Sequence, residues 1–239
     1  MRKFFISLDR TPERAERFLA ANAHVPGFER SPGVDGETMD IDAMKEMGLV
    51  SDACTFTRAA LGAGLAHVAL WGNVAESGVP AYIFEDDAYL CRNFEQESAR
   101  IIAGLPVDWE IILWGNNHRG MTLFELLPGI TQCFAIVPQA SVREGVDAFR
   151  EMDVTTLPFR LTETFGTCGY AISPAGARKM IKRCLPLTTV KVPHVCLGGR
   201  ILQATGIDTL MNRHYAQLKS YVSFPPLCLT DDEAVSIDA

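Results

Sequence analysis

The chain has 239 residues, of which 48% are hydrophobic and 21% charged, with a net charge of −7. That length supports a sizeable core, and the composition excludes a disordered chain. The negative balance argues against nonspecific nucleic-acid binding and offers no broad basic surface to a polyanion.

The opening "MRKFFISLDR" carries an apolar run that Asp9 and Arg10 end after about six residues, too short for a signal-peptide core. No segment reaches the ~18 consecutive apolar residues of a membrane span. The seven cysteines are scattered and contain no C-x-x-C pair, so they read as reduced thiols in a cytosolic protein rather than as a structural zinc site.

In chain order, "KFFISL" (3–8) predicts a first strand. A helix follows, with Thr11 as N-cap, Pro12 at the first helical position and Glu13 in the first turn. "FERSPGVDG" (28–36) predicts a short strand closing in a Pro/Gly turn, and 40–47 a short helix. A long helix is expected over 57–76, its small residues packing closely against a sheet. "AYIF" (81–84) is the next strand. "WEIILWG" (109–115) reads as a central strand of a mostly parallel sheet, because its apolar run is continuous. Two short strands around "PG" are expected over 121–137, then a helix near 139–151. "GTCGYAIS" (166–173) predicts a strand handing over at Pro174 to a helix, "GGRILQATG" a further helix, and 224–239 an irregular tail. With no repeat and no linker, a single α/β domain over 1–239 is expected, strands alternating with helices.

The chemistry concentrates at "AYIFEDDAYL" (81–90), where an apolar strand runs into Glu85, Asp86 and Asp87. Three adjacent carboxylates repel one another and resist desolvation unless a cation joins them. Extended-chain alternation puts Glu85 and Asp87 on one side with Asp86 opposed. Such a two-carboxylate pincer suits Mn²⁺ or Mg²⁺, and the carboxyl ends of strands are where open α/β sheets bind ligands. A solvated acidic turn, or carboxylates paired with Arg or Lys, is the structural alternative.

Five stretches in order carry a resemblance. "FFISLDRTPERAERF", "FERSPGVDG", "LGAGLAHVALWGNVAESGVPAYIFEDDAYL", "GTCGYAISPAGARKMI" and "IDTLMNRHYAQLKSYVSFPPL" are colinear with signatures that resemble those of glycosyltransferase family 25. This lipooligosaccharide-biosynthesis group also includes collagen galactosyltransferases. The resemblance implies a GT-A-like (Rossmann-like) fold with a mixed, mostly parallel sheet flanked by helices. It also implies transfer of a sugar, often galactose, from a UDP-sugar to a hydroxyl of a glycan or glycolipid acceptor. By position, Glu85, Asp86 and Asp87 would be the metal and diphosphate motif, with Asp87 the first choice of ligand. Leu8, Asp9, Arg10 and Arg14 would hold the nucleotide, the two arginines four residues apart and able to face one ligand. The chain departs from the family at Ala66, where Ser is usual, and at Cys168 and Gly169, where a His is usual.

Other residues keep two readings. His67, in an apolar helix, is either a satisfied core histidine or a catalyst, with Trp71 packed beside it. A transfer needs a base near the acceptor hydroxyl. Glu163 and Asp208 are the candidates, and Asp208 could instead serve the metal or donor sugar. His194 and His214 are structural or phosphate and metal partners. Asp35 shapes the "VDG" turn or touches the donor. "RKMIKRC" (178–184) is a solvated helix face or a contact for anionic headgroups at the inner membrane surface. Two other functions compete. One is a silent member binding sugar nucleotides without turnover. The other is an acidic-pocket phosphoryl-transfer protein, although receiver-type domains place an acidic pair after the first strand, where this chain has only Asp9.

Overall fold

The computed structural model describes residues 1–115 and 120–230. Its centre is a nine-stranded sheet, built from β1 (Arg2–Ser7), β2 (Phe28–Pro32), β3 (Ala81–Glu85), β5 (Ile111–Gly115), β6 (Met121–Leu127), β7 (Thr131–Ile136), β8 (Leu157–Thr164), β9 (Gly169–Ile172) and β12 (Ser220–Phe224). The order across it is β2-β1-β3-β9-β5-β12-β8-β6-β7. Two small sheets stand apart: β4 (Ala88–Leu90) with β13 (Cys228–Thr230), and the hairpin β10 (Lys191–His194) with β11 (Arg200–Gln203).

Period-two alternation sorts the strand side chains into two cores. Ile83, Leu113, Tyr170 and Ile172 face one side, with residues of α3 (Arg58–Ser77), α6 (Pro174–Cys184) and α7 (Ile207–Asn212). Phe5, Tyr82, Phe84, Ile112 and Trp114 face the other, with α1 (Pro12–Ala21), α4 (Phe94–Gly104) and Phe149 of α5 (Gln139–Arg150). The short α2 (Ile41–Glu46) precedes α3. All five residues of β5 are buried, as the continuous apolar run requires. Thr57 caps α3 by accepting Ala60 N–H at 3.2 Å, and Ser173 caps α6 by accepting Gly176 N–H at 3.1 Å, whereas Thr11, the expected cap of α1, stands at the N-cap position without a side-chain cap bond.

The α/β layering agrees with the sequence, but the sheet is mixed rather than mostly parallel. The pairings β1–β2, β1–β3 and β5–β12 are parallel. Five are antiparallel: β3–β9, β5–β9, β12–β8, β6–β8 and β6–β7. An apolar run reports burial on both faces, and a four-residue strand such as β9 satisfies that condition in either direction. "GGRILQATG" (198–206) forms no helix: Gly198 and Gly199 adopt φ +67° and +81° and turn the chain back into β11, and α7 begins only at Ile207. Within the expected irregular tail, Cys228–Thr230 form a strand on β4; the remainder, 231–239, lies outside the described residues.

The small residues of α3 pack differently from expectation. Gly62 lies against the 33–36 loop, where an added Cβ would stand 2.2 Å from the Val34 carbonyl oxygen, and one on Gly36 would stand 1.9 Å from that of Arg58. Loop and helix therefore meet backbone to backbone, while the larger Leu61, Leu65 and Trp71 take the sheet side.

Candidate functional site

At the carboxyl ends of β1 and β3 lies a cavity of about 370 Å³. Its walls are the end of β1 and the turn into α1 (Ile6, Ser7, Leu8, Arg10, Thr11, Arg14), the loop at 33–37, the small-residue face of α3, and Glu85 with Asp86. Ala59, Gly62, Ala63 and Ala66 recur at helical spacing, so one stripe of α3 stays low and leaves the space open. Ser7 and Thr11 have buried hydroxyls without a hydrogen-bond partner among the described residues, a polar lining that sequence reading did not single out.

The acidic triplet is divided differently from simple alternation. β3 ends at Glu85, and Asp86 and Asp87 form a turn into β4, so strand alternation does not run through the triplet. Glu85 and Asp86 line the cavity. Asp86, 8% exposed, accepts two bonds on Oδ1 from Arg14, from Nε at 2.8 Å and Nη2 at 2.5 Å. The guanidinium of Arg14 is held more firmly protonated by that bond, against the cost of its own burial.

Asp87 lies beneath. Its Oδ1 is sealed from solvent and has no hydrogen-bond partner among the described residues. Burial first, and then the negative charge of Glu85, push this carboxyl up to about 7, although Arg14 and a hydrogen bond with Thr230 pull the other way. A carboxylate with one sealed, unmatched oxygen and a second carboxylate nearby carries a repulsion that a bound cation would relieve.

Glu85 is oriented by a buried relay. Trp71 Nε1–H donates to Tyr170 Oη at 2.8 Å, so the Tyr170 hydroxyl proton points at His67 Nδ1, 2.9 Å away. A neutral His67 then carries its proton on Nε2, which lies 3.6 Å from Glu85 Oε1. Thr167 donates its hydroxyl to the same oxygen at 2.5 Å. His67 lines the cavity, with its side chain only 2% exposed among these partners. Tyr170→Phe removes the proton that satisfies His67 and the acceptor that satisfies Trp71. The expected loss is about 1–3 kcal/mol in urea unfolding, with Phe leaving the ring packing intact.

The remaining candidates fall in several places. Arg10 lines the cavity with its Nε 3.2 Å from Asp35 Oδ2, and Asp35 Oδ1 also accepts Glu37 N–H at 3.0 Å, which is the turn-shaping role. Asp9 turns outward to Arg30 at 2.6 Å. Asp208, in the first turn of α7, accepts Gly166 N–H at 3.3 Å, next to the Thr167 that bonds Glu85. Glu163 stands away from the cavity lining, and its two oxygens accept the N–H groups of Val195 and Cys196. His214 is pushed down to about 4 by burial and then by Arg183 and Arg213, so it is neutral at physiological pH. In "RKMIKRC", Arg178 bonds the Ala75 carbonyl, Lys179 the buried Glu110 and Arg183 the Gln217 side chain, so three of the four basic groups have intramolecular partners. Cys168, at the position of the family's His, packs its sulfur 3.6 Å from that of Cys228. Among the described residues no helix is long and apolar enough to cross a membrane.

Residues 1–195 match the family described as Glycosyltransferase family 25 (LPS biosynthesis protein). A human protein named inactive glycosyltransferase 25 family member 3 is 26% identical over 205 residues, covering 77% of this chain and 30% of the relative. Its Bos taurus counterpart, named as probably inactive, is 25% identical over 201 residues with the same coverage. The chain thus spans about 30% of the length of these curated relatives. Among solved structures, mannose-1-phosphate geranyltransferase from Thermus thermophilus aligns at TM-score 0.38 and 12% identity, over 92% of this chain and 72% of that one.

Proposed function

This chain belongs to glycosyltransferase family 25, and we propose that it transfers a sugar, galactose by family analogy, from a UDP-sugar to an acceptor hydroxyl. The observation that carries this reading is the sealed, unmatched Oδ1 of Asp87, whose carboxyl feels the charge of Glu85, a residue that lines a cavity together with two arginines. The donor set fits a hard divalent cation: Asp87 and Glu85 would hold Mn²⁺ or Mg²⁺, which when bound neutralises charge on a diphosphate leaving group. Arg10 and Arg14 would bind the diphosphate, and Ser7 and Thr11 offer hydroxyls to the nucleotide. Thr167 and His67 keep Glu85 aimed. Asp208 is the retained candidate base, because it bonds the Gly166 N–H beside the Thr167 that holds Glu85. In this reading the fold is of the GT-A type, in one domain, and the acceptor is a lipooligosaccharide-type glycan or glycolipid met at the cytoplasmic face of a membrane.

A second reading, sugar-nucleotide binding without transfer, is favoured by the Arg14–Asp86 pair occupying one cavity carboxylate and by the names of the two mammalian relatives. One experiment separates them. UDP-galactose and other UDP-sugars with Mn²⁺ should raise the thermal midpoint, since a ligand that binds only the folded state stabilises it. Transfer to lipooligosaccharide acceptors is then assayed with and without chelator. Stabilisation without transfer to any acceptor supports the silent reading, and no stabilisation by any UDP-sugar sinks both.

A further inference from the structure

We propose that Glu163, His194 and Cys196 form a second cation site, selective for zinc-class ions and separate from the acidic turn at 85–87. One carboxylate oxygen, one imidazole nitrogen and one thiol sulfur, from these three residues, all lie within 4.8 Å of one another. Glu163 is 7% exposed and His194 1%, so two of the three donors are held in the interior.

The surroundings position each donor. Glu163, on β8, accepts Val195 N–H at 2.8 Å on Oε1 and Cys196 N–H at 3.0 Å on Oε2. Those bonds fix the tip of the β10–β11 hairpin and leave each carboxylate oxygen one further lone pair. His194 is packed against the Phe165 ring at 4.9 Å between centroids. Asn212 accepts Thr164 N–H at 3.0 Å on Oδ1, which turns its amide N–H toward His194 Nδ1, 3.3 Å away.

Cys196 supplies the selectivity. Burial and the neighbouring Glu163 push its thiol up to about 12, so without a cation it stays protonated. Binding breaks the S–H bond, releases that proton to solvent and forms a metal–sulfur bond, which reverses the preference. Thiolate and imidazole with one carboxylate favour zinc over Mn²⁺ or Mg²⁺, whose preferred ligands are oxygens. Val195, at the hairpin tip, is 62% exposed, so solvent reaches the tip and can supply water to a fourth position.

Co²⁺, a spectroscopic stand-in for zinc, tests this on the full chain stripped with chelator. One equivalent should give a thiolate-to-cobalt charge-transfer band that Zn²⁺ bleaches and that persists in Asp87→Asn. Cys196→Ser, which keeps the backbone bonds to Glu163, should abolish the band and the Zn²⁺-dependent rise in thermal midpoint seen in the unmodified protein. A folded chain with no such band, or a band undiminished in Cys196→Ser, overturns the site. Neither result depends on nucleotide-sugar binding, so this inference and the proposed transfer fail separately.

Discussion

Asp87→Asn is expected to raise stability at pH 8 by about 2–3 kcal/mol, or roughly 5–10 °C in Tm, and at pH 5 by only about a third as much. The sign follows from linkage. In the unfolded chain an aspartate has its ordinary pKa near 3.9, whereas in the folded protein this one stands at about 7. Between those values the folded state holds a proton that the unfolded state has lost, so stability falls as pH rises from about 4 to about 7 and levels off above. Three units correspond to ~4 kcal/mol as an upper figure, because relaxation and solvent entry soften a buried charge. Asparagine carries no charge to desolvate, so it escapes the penalty that the wild type meets in full only above pH 7. The measurement is urea or thermal unfolding of both proteins at pH 5 and pH 8. Equal destabilisation by Asn at both values would mean that the carboxylate is favourably held, and the argument from its unmatched oxygen would fail.

The same variant links stability to the cation. Mn²⁺ beside Asp87 and Glu85 favours the ionised form of both, so saturating Mn²⁺ should flatten the pH dependence of the wild type between about 4 and 7. Asp87→Asn should lose that response. A site that gains stability when its ligand is deleted is expected where function and folding compete for one residue.

Most of the scaffold was legible because its signals are local. "KFFISL" alternates between two cores, the long helix and the helix from Pro174 start within a residue of where the sequence puts them, and the run from Ile111 to Gly115 can only be interior. Strand direction was not legible. Nothing in Gly169–Ile172 distinguishes a parallel from an antiparallel neighbour, and the insertion of β9 between β3 and β5 is decided by long-range packing. The acidic triplet was visible as a charge problem, but its division was not. That depends on where β3 ends, and one residue of difference exchanges Asp86 for Asp87 at the cavity wall. Ser7 and Thr11 are ordinary residues whose meaning comes only from being buried at a cavity without partners among the described residues. The Glu163, His194 and Cys196 cluster joins β8 to a hairpin far along the chain, whose Gly pair reads, in sequence, as the start of something else.

Arg14→Ala should be the most damaging single change at the cavity, since it leaves the Asp86 carboxylate without its guanidinium at a site that is 8% exposed. Breaking a fully buried pair costs roughly 3–5 kcal/mol. The Arg14 side chain is itself 36% exposed, so water can replace part of the lost solvation and about 2 kcal/mol is expected. The double variant Arg14→Ala with Asp86→Asn removes the stranded charge and should recover most of that loss. It should not recover UDP-sugar binding if Arg14 also reaches the diphosphate, because no cation has been returned to the cavity wall. Unfolding midpoints and UDP-dependent thermal shifts on the two proteins therefore divide the roles of one guanidinium. If stability and nucleotide response recover together in the double variant, Arg14 serves only to hold Asp86. If stability alone recovers, the same side chain both neutralises the turn after β3 and binds the donor.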